Sequence, residues 1–117
     1  MSYDISLKGK IEGYNEPLFI LDVGNITWNV KRLIFECSGW DIKNMEDNGP
    51  ADEWFGKIKA GEKNLMNNPD LYKEYEDPNG WGTISDTLRA FSEWIRLLTY
   101  FEEAHPGILH YLTVYVC

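Results

Sequence analysis

The segment from Ile84 to Ala104 constrains this chain more tightly than any other. Ile84, Leu88, Phe91, Ile95 and Leu98 recur at the spacing of one helical face, and Trp94, Leu97 and Phe101 widen that face into a broad apolar stripe. Thr83 or Ser85 supplies a capping side chain at the start, and His105-Pro106-Gly107 stops the helix at the end. So broad a stripe needs a second layer to bury it, and the rest of the chain must provide one.

Strands near both ends offer that layer. Tyr3-Asp4-Ile5-Ser6-Leu7 alternates apolar and polar with period two, the pattern of a half-buried strand. Gly9 and Gly13 mark a turn, and Leu18 to Val23 reads as a second, more apolar strand ended by Gly24-Asn25. Leu109 to Val116 is rich in β-branched and aromatic residues and reads as a third strand, placed to pair with the first.

Helices fill the middle of the chain. Thr27 or Asn29 can cap a helix that carries Val30, Leu33, Ile34 and Cys37 on one face, with Gly39 as its C′ residue. Trp40 to Asn48 reads as a polar connector anchored by Ile42 and Met45. Pro50 suits the first turn of a second helix, with Asp52 and Glu53 beside its positive end. Its stripe is Ala51, Trp54, Phe55, Ile58, Leu65 and Met66, and Gly56 and Gly61 weaken it. Asn67-Asn68-Pro69 ends it, Pro69 to Tyr75 forms a short helical turn, and Pro78-Asn79-Gly80-Trp81-Gly82 is a loop. The order β-β-α-α-α-β predicts a single α+β domain over residues 1–117. Its sheet is small and mainly antiparallel, with about three helices packed on one face.

Composition supports a folded chain and narrows its partners. Aromatics make up 15% of the 117 residues, enough large rings to build a core in so short a chain. The formal net charge is −8, the wrong sign for binding nucleic acid or an anionic membrane surface. An acidic chain suits a basic protein partner or a cation. Interleaved lysines and arginines argue against mimicry of duplex DNA. The opening Met1 to Ile5 lacks the basic and apolar regions of a secretory leader, and no apolar run approaches the ~20 residues of a membrane span. The expected compartment is therefore the cytoplasm of the host cell, and the sequon Asn25-Ile26-Thr27 reads as accidental.

Catalytic constellations are sparse. Cys37 with His105 or His110 could form a nucleophile and base, but Cys37 falls on an apolar stripe where a free cysteine is a small buried hydrophobe. No C-x-x-C, H-E-x-x-H or EF-hand pattern is present, and Asp70, Glu74, Glu76 and Asp77 read as a solvated charge run. Asp22 reads as a turn residue before Gly24 more readily than as an acid–base group. No phosphate loop occurs among the glycines, and no cofactor is expected.

Four features carry a resemblance. They are the Tyr3-to-Leu7 strand, the run Asn25-Ile26-Thr27-Trp28-Asn29-Val30, the Asn79-Gly80-Trp81-Gly82 turn before a long amphipathic helix, and the terminal strand after a proline. Together they resemble a family of small proteins of phages, prophages and bacterial mobile elements. That resemblance implies no catalytic residues. It implies a viral context in which small acidic proteins bind host proteins, including components of CRISPR and other defence systems. On this reading the chain is a non-enzymatic binder of a basic host surface, a counter-defence inhibitor being one form. The partner-binding residues are Tyr72, Glu74, Tyr75, Glu76, Asp77 and Trp81, aromatics flanked by carboxylates. Two alternatives stand beside it. One is a small-ligand or enzymatic domain using Asn25, Thr27, Trp28 and Asn29 at a strand-to-helix junction. The other is a virion or assembly component that self-associates through exposed aromatics.

Overall fold

A computed structural model describes all residues, Met1–Cys117. Strand β1 (Ser2–Gly9) forms where the period-two alternation predicts it, with Tyr3, Ile5 and Leu7 buried on one side. Strand β2 (Leu18–Thr27) pairs antiparallel with it, from Gly9 opposite Leu18 to Ser2 opposite Thr27. The predicted stop at Gly24-Asn25 does not occur. Two irregularities in register, between Ile5/Ser6 and Leu7/Lys8, absorb extra residues of β2 and let the strand run on. Asp22 therefore lies within β2, opposite Ser6, and not in a turn.

A 3-10 turn (Trp28–Val30) leads into α1 (Lys31–Ser38), which buries Leu33, Ile34 and Cys37. Neither predicted cap is made. Thr27 Oγ1 turns back to donate to the Met1 carbonyl at 3.4 Å, and Val30 occupies the N-cap position. Gly39 ends the helix in the left-handed conformation, φ 79°, its N–H donating to the Phe35 carbonyl.

The connector contains a strand that hydropathy does not reveal. Strand β3 (Glu46–Pro50) pairs antiparallel with β4 (Leu112–Val116), with Asp47 opposite Tyr115 and Pro50 opposite Thr113. Asn48 holds the approach to it. Its Oδ1 accepts from the Trp40 indole N–H (3.1 Å) and the Lys43 amide (2.9 Å), and its Nδ2 donates to the Lys43 and Glu46 carbonyls (both 2.9 Å). Every polar group of that amide is satisfied. Of the two expected anchors, Ile42 is buried, while Met45 is exposed at φ 63°.

Helix α2 (Ala51–Asn67) follows directly, with Pro50 at the N-cap and Asp52 and Glu53 in the first turn. Met66 faces solvent and leaves the expected stripe. A short α3 (Pro69–Tyr72) and a 3-10 turn (Lys73–Tyr75) lead to the glycine-rich loop. Helix α4 (Ile84–Ala104) is capped by Thr83, whose Oγ1 accepts from the Asp86 amide at 3.1 Å. Its buried line is Thr87, Phe91, Trp94 and Leu98, with Ile84, Leu88, Ile95 and Phe101 packed half-buried beside it. The face is thus rotated slightly from the predicted one, toward Trp94. After α4 a 3-10 turn (Ile108–Tyr111) takes the place of the first residues assigned to the last strand.

The sheet has the order β2-β1-β4-β3, and β1 and β4 run antiparallel at its centre. Helices cover one face. Rings knit the helices and the connector together: Trp40, Trp54 and Trp94 lie with centroids 5.2–6.4 Å apart, and Phe91 stands 5.5 Å from Trp94. The buried core joins the inward residues of β1, β2 and β4 to residues of α1, α2 and α4. No helix is long and apolar enough to cross a membrane.

Candidate functional site

The residues singled out in the sequence fall into two clusters, and folding brings the two together. The first surrounds the end of β2. Trp28, at 40% exposure, begins the 3-10 turn with its ring 5.8 Å from that of Tyr3 and tilted 36° to it. Asn29 is exposed beside it, and Thr27 ends the strand. Asn25 lies within β2 opposite Asp4, exposed and away from any helix start.

The second cluster is the segment from Tyr72 to Gly82, which crosses over the start of α1. Tyr75 packs half-buried with the Arg32 guanidinium 5.0 Å above its ring. Partial burial, then the carboxylates of Glu36 and Glu74, push the Tyr75 phenol above its ordinary pKa. Tyr72 is half-buried against the core. Glu76 Oε2 accepts from the Ile84 amide at 2.8 Å and closes an orphan N–H at the start of α4. Asp77 Oδ1 accepts from the Asn79 amide at 2.8 Å and shapes the turn. Glu74 is free of the core, and Trp81 stands 68% exposed at the tip.

Gly82 joins the clusters. At φ 86° its backbone lies so close to Val30 and Asn29 that a Cβ there would come within 2.6 Å of Val30 Cγ1 and 3.3 Å of Asn29 Cβ. Trp28 and Trp81 sit one residue to either side of that contact, both with exposed indoles. The two exposed indoles thus stand on segments that meet at Gly82, while Arg32, Glu36 and Glu74 are the charges nearest Tyr75.

The groups considered for chemistry are arranged differently. Cys37 is buried, its Sγ–H directed at the Ile34 carbonyl (3.6 Å), and burial pushes its thiol up to about 12. It has no ionised form near neutrality with which to attack. His110 pairs with Asp52, Nδ1 to Oδ2 at 3.1 Å, on the surface. That hydrogen bond, with a further one from the Glu53 amide, holds the Asp52 carboxyl below its usual range. No three His, Cys, Asp or Glu side chains converge to hold a metal ion.

A further feature lies on the open face of the sheet, where a groove of about 840 Å³ runs between the β1–β2 loop and β3. None of the residues singled out above lines it. Its walls come from segments far apart in the chain, so no local pattern in the sequence marks it.

No family model, no curated protein and no solved structure matches the chain.

Proposed function

We propose that this protein is a non-enzymatic binder that engages a host protein through the Trp28–Trp81 surface. The observation that carries the reading is the Gly82–Asn29 contact, which sets two exposed indoles on neighbouring stretches of backbone. Trp is the residue type that most often dominates binding energy at protein interfaces, because one side chain brings large area at low cost in conformational freedom. The acidic balance of the chain, −8 overall, favours a partner of basic surface and speeds its encounter.

Likeness of the Tyr3–Leu7, Asn25–Val30 and Asn79–Gly82 segments to phage and prophage proteins supports a viral origin and a cytoplasmic host partner. Inhibition of a defence component is the form this binding takes in the proposal. Glu76 and Asp77, spent on capping and turn formation, contribute indirectly by fixing the loop. Glu74, Tyr75 and Tyr72 form the flank of the interface.

The test is affinity capture from host lysate on immobilised protein at low salt, followed by titration of the recovered partner. Trp81→Ala should weaken that partner's binding at least ten-fold, and Trp28→Ala should act in the same direction. Trp81 is remote from the core, so its variant keeps the wild-type melting curve. A partner bound equally well by both variants, or the absence of any retained partner, would falsify the proposal.

A further inference from the structure

We infer that the open face of the sheet is a seat for the cationic side chains of a basic peptide segment, at a place separate from the Trp28–Trp81 surface. The chain's own cation shows what the site accepts. Lys8, on β1, lies opposite Phe19 of β2 on one side and Thr113 of β4 on the other. Its ammonium stands 3.7 Å from the ring centroid of Tyr115 and 4.8 Å from that of Phe19. The two rings are 6.1 Å apart and 75° to one another, so they form a corner with the charge inside it. Electron-rich ring faces attract a cation electrostatically, and a corner of two rings does so from both sides.

The surroundings have the matching charge. Tyr111, Thr113 and Tyr115 line the groove together with the carboxylates of Glu16, Glu46 and Asp47. None of those three carboxylates takes part in an ion pair. Lys8 and Lys10 also line the groove, but the Lys8 charge is already held by the rings. The volume exceeds that of one side chain and suits a short extended segment. An arginine-bearing segment fits best, because a guanidinium stacks on aromatic faces and also pairs with carboxylates. On arrival its cation takes the corner and Lys8 swings out to solvent. Lys8 is thus a competitor built into the site.

Fluorescence anisotropy of a labelled hexa-arginine peptide at low ionic strength tests this. Wild type should bind, Tyr115→Ala should bind several-fold more weakly, and Tyr115→Phe should match wild type. Lys8→Met should bind roughly two- to five-fold more tightly than Lys10→Met, since it removes the competitor as well as a like charge. Trp28→Ala and Trp81→Ala should leave the titration unmoved, so this seat and the indole surface fail or stand separately. Equal effects of Lys8→Met and Lys10→Met, or no binding by wild type, would reduce the site to diffuse attraction and overturn the inference. If Tyr115→Ala loses its fold by circular dichroism, the comparison of the two lysine variants alone decides.

Discussion

At the scale of single residues, the core contains two polar atoms without partners, Trp54 Nε1 and Thr87 Oγ1. Thr87 is fully buried on α4, and an unpaired buried hydroxyl costs free energy that a methyl of the same shape does not. Thr87→Val should therefore stabilise the protein by about 1 kcal/mol. The check is a higher urea midpoint at unchanged slope, and a lower midpoint would mean that the hydroxyl is satisfied. Residue-level readings from the sequence succeeded where the environment is local. Cys37 lies on the stripe its helical spacing indicates, and its burial follows from that. Trp40 is the opposite case. In sequence it sits among polar neighbours, yet it is 2% exposed because its ring packs against Trp54 of α2 and Trp94 of α4.

Between elements, two glycines of α2 that look equivalent in sequence have opposite roles. Gly56 has open space where a Cβ would lie, whereas a Cβ on Gly61 would come within 2.7 Å of Ser38 Cβ and 2.9 Å of Phe91 Cε2. Gly61 is the point where α2 touches both α1 and α4. Gly56→Ala should thus stabilise by roughly 0.5–1 kcal/mol through helix propensity. Gly61→Ala should destabilise by about 1–3 kcal/mol through overpacking. Thermal unfolding of the pair reads both signs at once, and like signs would contradict the packing described. Helix α4 was legible because periodicity, cap and stop signal all agree over its length. Strand β3 was not, since Glu46-Asp47-Asn48-Gly49-Pro50 contains no strand-favouring side chain. Pairing with β4 and the four hydrogen bonds of Asn48 impose its conformation from outside. The same holds for the functional surfaces. Exposure of Trp81 follows from its turn, but its proximity to Trp28 depends on a contact between distant segments, and the groove draws its walls from several strands.

Across the whole molecule, one cluster of 22 buried residues runs from the sheet through α1, α2 and α4. The rings of Trp40, Trp54 and Trp94 lie at the meeting point of those helices and the β3 connector. Urea unfolding followed by tryptophan fluorescence and by far-ultraviolet circular dichroism should then give superimposable transitions. Separate midpoints would mean that sheet and helices unfold as different units. The molecule measures 48 × 27 × 18 Å with a radius of gyration of 14.5 Å, longer than the roughly 13 Å expected of a sphere-like domain of its size. That flattened outline gives a small protein two broad sides, one of helices and one of bare sheet.

The loop bearing Trp81 is tethered at both ends, by the Glu76 carboxylate on α4 and by Gly82 wedged against Asn29. A binding partner therefore meets a ring whose backbone has already surrendered its freedom during folding, and little further order is lost on capture. Loosening either tether would leave the indole in place chemically yet slow to be caught and quick to let go.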